Sequence, residues 1–457
     1  MTDALWWLLL PLATLALTIG HNLGSARLSA PRAAGFAGAG ELAAVRSPVR
    51  LRTVAGGCGA AVLILVLVAV FAPPATAAVA GAATLGVGGL TVVLARHRSR
   101  VRRTFTAIDE HAPRLAICYA GKSGLHVGMW SPWFEQAKIP WCVTVPSDDQ
   151  FDKIRTHYPD FAVVAGDLPA SVKSAFYPHG GGANRRYLDA RPDVTHVFLG
   201  HGDSDKPLSA SDRVLDFDLV AVAGQAALDR FDAAGVELGD RVRVIGRPQT
   251  EGIVQVSDPI PTPATVLYAP TLWHQDPSAN VSSLPVARTL IEELLSRGCT
   301  IAFRRHFARI QHPDAEDTIA WIDERLAEDA KATGRAHRYG LEPRLVSIPE
   351  LFNAVDAVVS DVSSIVVDFM ASDKPYLMYA AQYDDVEAFR AAHPSAVGAY
   401  AVPRDLTGLS EQLDQLLGDD PLAELRHSRA DYFLGGPERR DPAARFLALL
   451  HELDATS

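Results

Sequence analysis

The chain has 457 residues, 48% of them hydrophobic and 21% charged, with a formal net charge of −10. That is long enough for more than one domain. The charge is uneven: residues 1–103 hold ten Arg against only Asp3 and Glu41, giving +8 there and −18 for the remainder, and so acidic a body excludes broad nucleic-acid binding.

Three apolar segments come first: Leu5 to Ile19, Val54 to Ala72 and Ala77 to Ala95. The second approaches the ~20 residues that a membrane helix needs. The third is rich in Gly and Ala, which suits close helix packing in lipid. The first is short, is interrupted by Pro11 and lacks a basic leading region, so it reads as an anchor rather than a cleaved leader. Arg27, Arg32, Arg46, Arg50 and Arg52 separate the first two segments, and Arg96, Arg98, Arg100, Arg102 and Arg103 follow the third. By the positive-inside rule both basic stretches are cytoplasmic, near anionic lipid heads. The pattern therefore predicts three transmembrane helices over residues 1–103 and a multi-pass protein of the cell membrane, with everything later in the cytoplasm. Cys58 falls in a span, and Cys118, Cys142 and Cys299 are scattered without a C-x-x-C pair. They read as reduced structural thiols, neither a disulfide framework nor a zinc site. No metal-ligand spacing stands out elsewhere.

From Arg114 onward, short apolar runs alternate with helical patterns. Strands are predicted over 115–119, 141–145, 161–164, 195–199, 219–223 and 242–245. The segment Ser257–Pro263, with a proline at every second position from Pro259, reads as a stiff linker. A second series follows over 265–269, 300–303, 345–347, 357–360 and 375–379. In the second half, Pro285 fits a first helical turn, Val286, Leu290, Ile291, Leu294 and Leu295 recur at helical spacing, and Gly298 closes the helix. Strand–helix–strand alternation makes parallel sheets with helices on both faces. The expected architecture is thus α/β, with one domain over 104–255 and another over 262–457 after the membrane region. Ligands of open α/β sheets bind at the carboxyl ends of strands, so the loops there are where chemistry is expected.

On those loops the first half carries Gly121-Lys122-Ser123-Gly124 with His126 behind it, His179-Gly180-Gly181-Gly182, Gly200-His201-Gly202 and Gly246-Arg247-Pro248. Lys122 and Ser123 suggest a phosphate cradle or only a structural turn; this is no Walker loop. The glycine run after His179 resembles an esterase oxyanion loop, but no G-x-S-x-G accompanies it, which rejects a hydrolase triad. A neutral His201 between glycines can take a proton from a hydroxyl near pH 7, or serve only local hydrogen bonds. In the second half, Tyr268-Ala269-Pro270-Thr271 and Arg304-Arg305-His306 each follow a predicted strand. Arginine offers a planar fork of donors for phosphate oxygens. Ser363 and Ser364 open a helix after Ser360-Asp361-Val362, with Asp368 one turn inside it. A helix start is a ready anion site, and serine there is equally an ordinary N-cap.

Taken in order, the motifs resemble those of the CDP-glycerol glycerophosphotransferase family of teichoic acid biosynthesis. His201-Gly202 is similar to its His-Gly motif, although Asp203-Ser204 follow where the family has Thr-Pro. Gly246-Arg247-Pro248 resembles its Gly-x-Pro-Arg element with the order altered. Tyr268 to Thr271 matches its Tyr-Ala-Pro-Thr, Arg304 to His306 its Arg-x-His, and Asp361 to Ser364 with Asp368 and Lys374-Pro375 its most diagnostic signature. The likeness spans roughly residues 114–420. It implies two Rossmann-like domains of glycosyltransferase-B-like (GT-B-like) type, an acceptor domain followed by a CDP-polyol-binding domain. It implies transfer of polyol phosphate from CDP-glycerol, or another CDP-polyol, to a membrane lipid-linked acceptor, with no certain cofactor and no metal assigned. His201 and His306 are then the expected catalytic residues. Gly202, Arg247, Thr271, Arg304, Ser363, Ser364 and Asp368 are expected to bind substrate. A sugar transferase of the same architecture using a nucleotide sugar, and a non-catalytic membrane scaffold, are the alternatives.

Overall fold

The computed structural model describes residues 29–36, 40–44, 76–121, 124–180, 182–201, 210–256, 259–306, 312–340 and 342–456. The chain forms two compact units: one of residues 1–125, 139–175 and 181–194, the other of residues 126–138, 176–180 and 195–457.

The first unit holds strands β1 (Arg32–Ala34), β2 (Leu115–Cys118), β3 (Trp141–Val145) and β4 (Val163–Ala165) in the order β1-β4-β3-β2. β2, β3 and β4 are parallel, and β1 lies antiparallel along β4. All four residues of β2 are buried, the continuous apolar run of a strand covered on both faces.

A single 36-residue helix, Thr76–His111, enters this unit. It contains the third apolar segment; the first two segments lie outside the described residues. No helix among the described residues is long and apolar enough to cross a membrane. This overturns the expected transmembrane region and, with it, the multi-pass placement. The third apolar run is not a separate span: the same helix continues without a break through five arginines from Arg96 to Arg103 and on to His111. Farther along, Val101, Thr104, Ala107 and Ile108 are buried at helical spacing, and His111 Nε2 lies 2.9 Å from the Trp141 carbonyl.

β5 (Ser174–Tyr177) ends in the second unit, which continues with β6 (Thr195–Phe198), β7 (Leu219–Val222) and β8 (Val242–Val244). β6, β7 and β8 are parallel neighbours, and Leu199 donates its backbone N–H to the Tyr177 carbonyl at 3.0 Å. A separate parallel sheet contains β9 (Thr265–Tyr268), β10 (Thr300–Phe303), β11 (Ala357–Ser360), β12 (Tyr376–Tyr379) and β13 (Tyr400–Val402), ordered β10-β9-β11-β12-β13. Helix Ala287–Ser296 covers one face through Leu290, Ile291, Leu294 and Leu295, all buried. Each such side chain contributes about 1.5–3 kcal/mol. Leu351, Phe352, Val366, Val367 and Phe433 pack on the other face. Pro285 sits in a 3-10 turn just ahead of the helix.

The expected strand at 345–347 is not one. Glu342–Leu345 is a helical turn, and Ser347 caps helix Ile348–Asn353 by accepting from the Glu350 N–H at 3.3 Å. Three apolar-flanked residues are too few to distinguish a strand from a helix start. β1, β5 and β13 are three- or four-residue strands beyond those expected from the apolar runs.

Candidate active site

The described residues expected to be catalytic or to bind substrate all lie in the second unit, beyond the carboxyl end of a strand. His201 follows β6, Arg247 follows β8, Thr271 follows β9, Arg304 and His306 follow β10, and Ser363, Ser364 and Asp368 follow β11. Gly202 lies outside the described residues, as do Lys122 and Ser123 of the earlier glycine loop.

Asp361 organises the loops after β9 and β11. It is fully buried. Its two oxygens each accept from the Thr271 N–H at 3.0 Å, and one also accepts from Ser283 N–H at 2.8 Å and Ser283 Oγ at 2.9 Å. Ser360 Oγ adds a bond to the Ala269 carbonyl at 2.6 Å. Thr271 is buried, and its carbonyl accepts from Ser282 Oγ at 2.8 Å. Buried polar groups must find such partners or lose their hydration without compensation. Asp361 is thus a structural clamp, a role that its place in the motif did not disclose.

Two residues on, Ser363 has extended backbone and its hydroxyl accepts from the Ile365 N–H at 3.5 Å, the N-cap of helix Ser364–Phe369. Asp368, one turn inside, holds Arg247: Nε reaches Oδ1 at 2.7 Å and Nη2 reaches Oδ2 at 3.3 Å. Arg247 is 5% exposed. It is aimed there by Gly246, whose φ of +74° suits glycine, and by the 3-10 turn Pro248–Thr250, which packs on the same helix. A forked, nearly buried pair of this kind is costly to break from one side, by about 3–5 kcal/mol.

His201 is solvent-exposed, yet rings crowd it. Its Nδ1 lies 3.0 Å from the Pro178 carbonyl; the carbonyl can only accept, so Nδ1 carries the proton and Nε2 is left to receive one. His126 stacks on it with centroids 4.2 Å apart and planes 17° apart, and His179 lies at 5.5 Å and 21°. Desolvation is the main reason that His201 is held below the ordinary imidazole range, with repulsion from His179 and Arg247 adding to it against the Pro178 bond. His126 is pushed down to about 4, by desolvation first and then by His201 and His179. Desolvation also lowers His179. Among the described residues no group of three or more His, Cys, Asp or Glu is arranged to hold a metal ion.

A stability consequence follows with a definite sign. Unfolded imidazoles protonate near ~6.5, whereas His126 in the folded chain does so at about 4. Between these values the unfolded state binds more protons, so this contribution is present above about pH 6.5 and is lost as pH falls toward about 4. Urea midpoints measured across that window should decline on acidification, and the decline should flatten in His126→Leu. An identical slope in wild type and variant would show that the cluster does not store this energy.

Arg304 donates its backbone N–H to the Tyr268 carbonyl at 2.9 Å, and its Nη1 to the Val346 carbonyl at 3.3 Å. His306 is half-buried two residues later. Lys374 is buried with Nζ on the Phe352 and Val355 carbonyls at 2.9 and 2.6 Å, so that part of the motif holds the fold together. The structure therefore brings Arg247 to Asp368 and places His201 within electrostatic reach of Arg247.

Residues 251–398 match the model of the CDP-Glycerol:Poly(glycerophosphate) glycerophosphotransferase family. The chain carries a glycerophosphotransferase region. It is accordingly an enzyme of glycerophosphate transfer, and CDP-glycerol is the donor in that family. The matched span contains the Thr271, Arg304, His306, Ser363, Ser364 and Asp368 motifs, while His201 and Arg247 precede it. No curated protein matches the chain significantly. Among solved structures, the wall teichoic acid polymerase TagF is similar at 13% identity over 80% of this chain and 96% of that one, with a TM-score of 0.45. A putative UDP-N-acetylglucosamine 2-epimerase from Listeria monocytogenes is similar at 10% identity over 75% and 98%, with a TM-score of 0.47. HepE of Anabaena, in complex with UDP and glucose, is similar at 13% over 74% and 99%, with a TM-score of 0.43.

Proposed function

We propose that this glycerophosphotransferase moves glycerol phosphate, or another polyol phosphate, from a CDP-polyol to a hydroxyl of a lipid-linked acceptor in the synthesis of teichoic acid or a related cell-wall polymer. The observation that carries the reading is the family match over 251–398, whose polar motifs all stand at the carboxyl ends of neighbouring strands β9, β10 and β11. Residues 104–255 are then the acceptor part and 262–457 the CDP-polyol-binding part.

In the reaction the acceptor oxygen attacks the phosphorus that bears the polyol. The bond from that phosphorus to the bridging oxygen breaks, CMP leaves with the electron pair, and the hydroxyl proton passes to His201 Nε2. Arg304 and His306 balance charge on the diphosphate. Ser363, Ser364 and the helix start they open bind phosphate oxygens, and Thr271 lines the approach. Arg247 supplies positive charge, kept in place by Asp368. Such displacements depend mostly on positioning and charge stabilisation.

The test is a donor screen with membranes that contain lipid-linked acceptor, reading nucleotide release. CMP release from CDP-glycerol or CDP-ribitol, with the phosphate retained on the acceptor, is the expected result. Turnover of nucleotide sugars instead, or no release from any donor, would reject the proposal.

A further inference from the structure

His126 and His179 have no part in the reaction just described, although both stand in motifs of the sequence. They come from separate segments: His126 lies in helix Leu125–Gly128, and His179 follows β5. Both converge on His201, and their own rings are 6.2 Å apart with planes 10° from parallel.

The segment that carries His126 grips the His201 loop twice. Its ring covers one face of the His201 imidazole at 4.2 Å. Four residues later, buried Trp130 donates Nε1–H to the Gly200 carbonyl at 2.9 Å, fixing the backbone just before His201. The same segment is tied to the turn that bears Arg247: Gln249 Nε2 donates to the Met129 carbonyl at 2.8 Å, and Trp133 Nε1 donates to Glu251 at 2.9 Å. The His201 loop and the Arg247 turn therefore share one support.

The geometry points to His126 as a positioning residue that holds the plane of the His201 ring by face-to-face contact. The Pro178 bond fixes one nitrogen of His201 but leaves the ring able to swing about that bond. A flat partner against its face removes the swing and keeps Nε2 on one bearing. Near-parallel rings in contact through their faces do not offer a nitrogen lone pair to a neighbouring N–H, so the contact orients the ring and carries no proton. The inference rests on His201 being the base, as proposed above.

The experiment compares His126→Ala, His126→Leu and His126→Phe with wild type and His201→Ala, by CMP release at saturating donor and across donor concentrations. A loose base loses rate on the order of 10–10²-fold. His126→Ala and His126→Leu are expected to lose that much in kcat with the donor KM unchanged, because donor binding is not involved. His126→Phe, which restores a flat face without a titrating nitrogen, should recover most of the loss. If His126→Ala does not fold, the Leu and Phe variants carry the same comparison. Equal rates for Leu and Phe, or a full-rate Ala variant beside a dead His201→Ala, would overturn the positioning role and leave the base assignment standing. Full turnover in His201→Ala would overturn the base assignment, and the positioning role with it.

Discussion

His201→Ala is expected to lower kcat by ~10²–10⁴-fold, the usual contribution of a general base, with little change in the KM for the CDP-polyol. The direction comes from three features together. The Pro178 carbonyl occupies Nδ1 and so selects the tautomer with a receptive Nε2. Desolvation by burial, with repulsion from His179 and Arg247 adding to it, lowers the pKa of His201 and so favours the neutral ring. The residue is nonetheless exposed at the end of β6, where a hydroxyl can reach it. His201→Gln is the informative companion: it keeps a polar side chain of similar reach but cannot take the proton, and it should be nearly as slow as the alanine variant. Steady-state CMP release with each variant decides the matter. Wild-type turnover in His201→Ala would remove the base from the mechanism and leave phosphate binding untouched.

Asp361→Ala should be the most damaging change to the fold among the motif residues. The carboxylate accepts from Thr271 N–H, Ser283 N–H and Ser283 Oγ in a site with no solvent exposure. Removing it strands those donors, at ~1–3 kcal/mol for each buried group left unpaired. Because neighbouring losses do not simply add, the total expected is about 3–5 kcal/mol, roughly 10 °C in Tm for a unit of this size. Asp361→Asn keeps the shape and one acceptor oxygen but turns an N–H pair toward existing donors, so its loss should be smaller and still clear. Thermal unfolding of the two variants is the measurement, and a Tm for Asp361→Ala within about 2 °C of wild type would mean the clamp contributes nothing. A second consequence concerns the site: the loop that bears Thr271 hangs from Asp361, so residual folded protein should bind donor more weakly.

These two residues show what was legible in one dimension. Asp361 and His201 both stood out as polar residues after predicted strands, and that placement was right because buried parallel strands are continuous apolar runs bounded by polar turns. β3 and β10 follow the expected bounds, and helix Ala287–Ser296 follows its apolar stripe. At 345–347, three residues could not distinguish a strand from a helix start; local composition was ambiguous there and packing decided.

The alternation of strands and helices, the reduced state expected of scattered cysteines, and the order of motifs resembling a glycerophosphotransferase region can all be read along the chain. These are short-range properties, set by periodicity and by residue type over a few positions. Which polar groups meet is set by how the chain folds in three dimensions. Arg247 finds Asp368 across 121 positions, Asp361 finds Thr271 across 90, and three histidines from separate segments share one stack. Parallel strands bring distant loops to a common edge, and the cost of burying charge without a partner then selects which side chains pair there.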